Sequence, residues 1–116
     1  MQGFEDPLNR GTFPWGSEDE SLLAFFRRLG QLRAERISMQ CGIIRYLHAQ
    51  GGGLVVERLH GTERTVTALN AGDTPLELTL PWDGRLCIDA VTGQQFLSQN
   101  GTVRLTLPPL DGVILV

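Results

Sequence analysis

The 116-residue sequence lacks the features that mark a membrane protein or a nucleic-acid-binding protein. No apolar run approaches the roughly 20 residues that span a bilayer. The sequence given does not show a basic segment followed by an apolar stretch, which is the pattern of a signal peptide. The net charge of −3 is small, and the ten basic residues are scattered among acids rather than gathered in a patch. We therefore expect no nucleic-acid partner, no membrane partner and a cytoplasmic location.

Residues that carry chemistry are also scarce. Cys41 and Cys87 form no C-x-x-C pair, so we interpret them as two buried, reduced thiols. His48 falls in a predicted strand and His60 in a predicted turn, and neither has a second ligand at metal spacing or a nucleophile elbow nearby. The glycines of 51–53 precede a strand rather than a helix, which favours a hairpin over a phosphate-binding loop. The sequence predicts no catalytic residue, no metal and no cofactor.

One amphipathic helix is predicted over residues 17–34. Ser17 and Glu20 have the spacing of a capping box, and the acids beside them suit the positive end of the helix dipole. Apolar residues then recur at helical spacing. They are Leu22, Phe25, Phe26, Leu29 and Leu32. This stripe is heavy for the length of the helix, so we expect it to pack against a large partner surface.

From about Gly42 the apolar pattern changes to a period of two. Segments 76–80 and 103–107 alternate cleanly between apolar and polar residues, as strands with one buried face do. Further strands are predicted at 43–49, 54–59, 64–70, 86–89 and 113–116. Turn residues separate them, including Asn100-Gly101, a strong hairpin sequence. The predicted fold class is mainly β, an antiparallel β-sandwich preceded by a loop and one helix.

Residues 1–16 are rich in Gly, Pro, Asn and Asp and predict a loop, with Phe4, Phe13 and Trp15 as its bulky apolar residues. Asp6 supplies an acceptor and Arg10 a planar donor fork, a combination that can bind a polyol through charge-assisted hydrogen bonds. The same two residues could instead form a salt bridge that braces the loop. The residues alone leave both readings open.

The loop and helix resemble a known family. The segments GFEDPLNR (3–10) and FPWG (13–16), followed by the helix, resemble the end of the catalytic barrel in glycoside hydrolase family 13. Within that family the sequence resembles the neopullulanase, cyclomaltodextrinase and maltogenic amylase group. In that family an Asp-Pro-x-x-Arg loop follows the eighth barrel strand, and the last barrel helix comes next. Segments 54–58 and 66–70 and the turn at Thr92-Gly93 resemble parts of the family's C-terminal β-sandwich.

The resemblance implies a division at about residue 35. Residues 1–35 would be the end of the catalytic barrel, with the loop after strand 8 and the last helix, and 36–116 the C-terminal β-sandwich. The parent would be a retaining enzyme that hydrolyses maltooligosaccharides, cyclodextrin or pullulan, and its catalytic carboxylates would lie upstream of Met1. Its missing barrel would be the partner of the helix. Asp6 and Arg10 match family positions that hydrogen-bond the sugar, which implies a role in substrate binding.

Two alternatives remain at this stage. A carbohydrate-binding module would need exposed aromatic rings, for which the sandwich offers Tyr46, Phe96 and Trp82, the last on a predicted loop. A self-association domain would use the helix stripe as a dimer face, centred on Phe25 and Phe26. For the isolated chain, we expect self-association through Leu22, Phe25, Phe26, Leu29 and Leu32.

Overall fold

The computed structural model describes Gly16 and residues 19–116. Asp6, Arg10 and the three aromatic residues of the N-terminal loop lie outside the described residues. Within the described part, the helices are α1 (Glu20–Glu35) and α2 (Ser38–Cys41). The strands are β1 (Ile43–Gln50), β2 (Gly53–His60), β3 (Glu63–Asn70), β4 (Leu76–Pro81), β5 (Leu86–Ile88), β6 (Gln95–Leu97), β7 (Thr102–Leu107) and β8 (Asp111–Leu115).

The strands form two layers, as the sequence predicted. One layer is a four-stranded antiparallel sheet in the order β1-β2-β3-β8. The other consists of the pairs β4-β7 and β5-β6. The hairpin turn between β6 and β7 places Asn100 and Gly101 at positive φ (54° and 77°). These two left-handed residues suit the twist of a tight hairpin, which explains the Asn-Gly choice.

The core lies between the two layers. Because successive side chains of a strand point to opposite faces, Val66 and Ala68 of β3 point into the core, and Thr67 and Leu69 point to the outer face of the four-stranded sheet. The buried cluster draws on both layers. It contains Val55, Val66, Ala68, Leu78, Leu80, Trp82, Cys87, Val103, Leu105, Leu107, Val113 and Leu115. Each of the larger side chains contributes on the order of 1.5–3 kcal/mol of gross burial energy.

Helix α1 begins later than the sequence indicated. Its N-cap is Asp19 rather than Ser17, and the Asp19 carboxylate accepts hydrogen bonds from the Ser21 hydroxyl (2.7 Å) and the Leu22 N–H (3.0 Å). These hydrogen bonds, chiefly the one from the Ser21 hydroxyl, lower the pKa of Asp19. Aspartate caps as well as serine does, so the local sequence offered two starts. The side-chain bonds of Asp19 stabilise the later one.

Two short elements were not predicted. Strand β6 has three residues and too little alternation to be recognised from sequence, although its pairing of Phe96 with Cys87 is regular. Helix α2 is a single turn, and its position depends on contacts with β2 and β3 rather than on its own sequence. Both elements are fixed by tertiary contacts.

Candidate functional site

Helix α1 joins the sandwich along one narrow face. With 3.6 residues per turn, Arg28 and Leu32 lie on the same side of the helix, and Arg36, four residues further on, is its C-cap. Leu32 is only 3% exposed, and both arginines hydrogen-bond to the sandwich. The helix is thus held by one apolar contact between two polar ones. The spacing of these three residues is visible in the sequence, and it was the signal that could have identified this face.

Arg28 binds a carbonyl group that the sandwich holds in place. Its Nε and Nη2 atoms both donate to the Ala90 carbonyl oxygen, at 3.0 and 2.8 Å. The loop that carries Ala90 is fixed by the buried Asp89, whose carboxylate accepts from Val91 N–H, Thr92 Oγ1 and Ile114 N–H. A buried carboxylate with three donors is a rigid anchor, so the acceptor for Arg28 is preformed.

Arg36 and α2 form the second attachment. Arg36 donates to the Thr65 hydroxyl and to the Arg64 carbonyl oxygen, both at 2.7 Å. Ser38 and Thr65 are buried and share a hydrogen bond of 2.8 Å between their hydroxyl groups. Ser38 N–H also donates to Glu63 Oε2 (2.6 Å). Hydrogen bonding with Ser38, first from its side chain and then from its backbone, lowers the pKa of Glu63. The exit of the helix is therefore fixed to the start of β3.

Part of the remaining surface of α1 is apolar and exposed, beside the exposed Arg27 and Arg33. This outward face consists of Leu22, Leu23, Phe26 and Gly30, and Leu22 and Phe26 are 52% and 61% exposed. No atom lies within 4 Å of the position that a Cβ on Gly30 would take. A glycine inside a helix costs about 1 kcal/mol relative to alanine. An open glycine among exposed large side chains leaves room for another backbone to approach closely.

The predicted apolar stripe covers about 120° of the helix circumference, and only one edge of it is buried. Only Leu32 is buried against the sandwich, Leu22 and Phe26 are on the outward side, and Phe25 and Leu29 line a groove between the helix and the sheet. The sequence predicted one apolar face because all five side chains point in similar directions around the helix axis. The structure separates them because the arginines on either side of Leu32 turn that edge toward the sandwich.

The three aromatic residues of the sandwich do not together form the sugar platform that a carbohydrate-binding module needs. Trp82, the candidate on a predicted loop, is only 8% exposed. Its indole N–H donates to the Leu86 carbonyl oxygen (3.2 Å), and the Arg64 guanidinium lies 4.9 Å from the ring centroid. Phe96 packs against the core, and Tyr46 is exposed on strand β1. Trp82 is therefore not available as a stacking surface, and the charged neighbour that covers its ring comes from a distant strand.

The cysteines differ from each other, and one prediction about them was wrong. Cys87 is buried, and burial raises the pKa of its thiol to about 11. Cys41 is exposed at the end of α2, with its sulfur 3.7 Å from the Ile37 carbonyl oxygen. Among the described residues, no group of three or more His, Cys, Asp or Glu side chains could hold a metal ion. No helix in the described part is long and apolar enough to cross a membrane.

Comparisons with known proteins give consistent relatives, although no family model matches. The chain is 30% identical over 131 residues to an amylopullulanase of Thermoanaerobacter thermohydrosulfuricus, covering 100% of this chain and 9% of that enzyme. It is 26% identical over 120 residues to a cyclomaltodextrinase of Geobacillus thermopakistaniensis, covering 98% of this chain and 20% of that enzyme. An Anoxybacillus alpha-amylase structure matches with a TM-score of 0.89 and 26% identity, over 99% of this chain and 26% of that one. The chain thus spans a small part of each relative.

Proposed function

This chain is related to the C-terminal part of the alpha-amylase superfamily, glycoside hydrolase family 13, and on that premise we propose that it is the accessory end of a longer α-glucan-degrading enzyme. In this proposal the chain has no complete catalytic site. It braces the catalytic barrel through α1, and the carboxylates that act on maltooligosaccharides, cyclodextrin or pullulan lie upstream of Met1. A retaining glycosidase needs two such groups on either side of the scissile bond.

The observation that carries the proposal is the outward face of α1. One edge of the helix is held on the sandwich through Arg28 and Arg36, and the exposed surface next to it presents Leu22, Leu23 and Phe26 to solvent. A helix anchored so firmly along one edge is rigid enough to dock on a second body with this exposed surface. Each large apolar side chain covered on docking would contribute on the order of 1.5–3 kcal/mol.

Asp6 and Arg10 have a separate role in this proposal. They would hydrogen-bond the sugar in the active-site cleft of the longer enzyme, as the family resemblance implies. A carboxylate and a guanidinium are suitable partners for sugar hydroxyl groups. The competing reading, a salt bridge between the two, makes them structural and gives a different result on substitution.

A comparison of the 116-residue chain with the longer polypeptide tests the proposal. The isolated chain should not hydrolyse maltooligosaccharides, cyclodextrin or pullulan above a mock preparation, whereas the longer polypeptide should. In the longer polypeptide, Phe26→Ser should lower the melting temperature more than the control Leu97→Ser, whose side chain is 73% exposed on β6. Turnover by the isolated chain, or equal effects of the two serine variants, would contradict the proposal.

The same face supports a proposal for the isolated chain. Without a barrel, the outward face and the neighbouring Phe25 leave contiguous apolar surface in water, which is unusual for a stable monomer. We propose that two copies associate symmetrically through this surface, with Phe25 and Phe26 at the centre. Such a dimer would be a substitute for the barrel contact rather than a function of its own.

A further inference from the structure

An apolar groove runs between α1 and the outer face of the four-stranded sheet. It has a volume of about 740 Å³, and its walls include Phe25 and Leu29 of the helix, Leu69 of β3 and Ile114 of β8. Leu110, in the turn before β8, lies at its edge. The helix reaches the sheet at Leu32 and Arg36 but stands away from it nearer its N-terminus, which leaves Phe25 and Leu69 about half exposed. The groove is therefore open to solvent.

Leu110 is unfavourable in its own turn on two independent grounds. Its φ is +56°, in the left-handed region that costs a residue with a Cβ atom roughly 1–2 kcal/mol. Its side chain is also 83% exposed. The preceding Pro109 suits the first central position of a type II turn, and glycine or asparagine suits the second. Within the described part of the chain the leucine side chain is little covered, so its position at the edge of the groove suits a contact with another body.

We propose that Leu110 and this groove form a second contact with the catalytic barrel of the longer enzyme, receiving apolar side chains from a barrel segment that lies beside α1. The proposal rests on the proposed function and deepens it. In the Anoxybacillus alpha-amylase that this chain resembles, the matching region is 26% of the chain, so about three quarters of such a protein is available to cover the groove. The groove and the outward face belong to the same helix, so one body can cover both.

Thiol labelling tests this contact without requiring a large structural change. Leu110→Cys, Phe26→Cys and the control Leu97→Cys are each made in a Cys41→Ser background, because Cys41 is exposed. Maleimide labelling rates are compared between the longer polypeptide and the isolated chain at submicromolar concentration. We expect labelling of Leu110→Cys to slow at least tenfold in the longer polypeptide, with Leu97→Cys labelled equally in both.

The outcomes separate this inference from the proposed function. Protection of Phe26→Cys without protection of Leu110→Cys would overturn the groove contact and leave the outward-face contact standing. No protection at either position would overturn both. Slow labelling of Leu110→Cys already in the isolated chain would also overturn the proposal. If this protection rises with concentration, the occupant is a second copy of the chain. If it does not depend on concentration, the occupant is residues 1–15. If a variant is unfolded by circular dichroism, alanine at the same position with hydrogen–deuterium exchange across 108–114 gives the same comparison.

Discussion

Replacing Gly30 by alanine should stabilise the isolated chain and weaken the longer enzyme. Gly30 lies inside α1, and the added methyl group would meet no atom within 4 Å. The folded chain therefore pays no steric penalty, and the helix gains the propensity difference of about 0.8–1 kcal/mol. For a domain of this size, that corresponds to a rise in melting temperature of roughly 4 °C.

The measurement is thermal unfolding followed by circular dichroism in a Phe26→Ser background, in which the proposed dimer is absent and Gly30 is open, supported by urea titration. Gly42→Ala is the matched control, because its Cβ would lie 2.9 Å from the Leu59 carbonyl oxygen and still closer to that of Ser38. That variant should lose stability. If Gly30→Ala left the melting temperature unchanged or lowered it, the conclusion that the surface around Gly30 is open would be wrong.

In the longer enzyme the same substitution should have the opposite sign. If a barrel backbone approaches Gly30, an added methyl group overpacks the contact and costs typically 1–3 kcal/mol. A stabilising effect there, equal to that in the isolated chain, would show that nothing approaches Gly30 closely. The sign reversal distinguishes a contact residue from a residue that is merely suboptimal.

Three further predictions concern other parts of the chain. In the longer polypeptide, Asp6→Ala or Arg10→Ala should lower kcat/KM by about ten- to a hundredfold, the loss of a charge-assisted hydrogen bond; a change within about twofold in both would favour the structural salt bridge. By sedimentation at micromolar concentration, the isolated chain should be a dimer that Phe26→Ser converts to a monomer and Leu97→Ser does not, and a monomeric wild-type chain would contradict the proposed face. Because the folded pKa of Cys87 is raised from 9.0 to about 11, its contribution to stability is complete below about pH 9 and is lost as the pH rises through 11. The melting temperature should therefore fall more steeply between pH 9 and 11 for the wild-type chain than for Cys87→Ala, and parallel curves would contradict this.

The strands were predictable because their pattern is local. Leu78 and Leu80 of β4, and Val103 and Leu105 of β7, are buried at every second position, so alternation alone identifies both strands and their buried faces. The layered β fold follows from several such strands with turn residues between them. The helix was predictable for a similar reason, with its first residue displaced by the choice between two capping residues.

The division of α1 into an anchored and an outward face was not predicted. That division depends on the Ala90 carbonyl group, which receives Arg28 only after the Asp89 loop has folded onto β8. The burial of Trp82 likewise depends on Arg64 from another strand. Contacts between residues distant in sequence leave no periodic signal, so a single sequence does not show them. The strain at Leu110 becomes visible only in the backbone angles.

The pairing of β3 with β8 determines the order in which the chain can fold. Val66 pairs with Leu115, and Ala90 N–H donates to the Ile114 carbonyl oxygen, so the edge of the four-stranded sheet closes only when residues 111–115 are available. Arg28 and Ala90 are 62 positions apart, and their hydrogen bond has to wait for that closure. Non-local pairing of this kind is slow compared with helix formation. During synthesis, the α1 segment is therefore complete well before the residues that bind Arg28 are available, and its apolar side chains lack the sandwich contact until then.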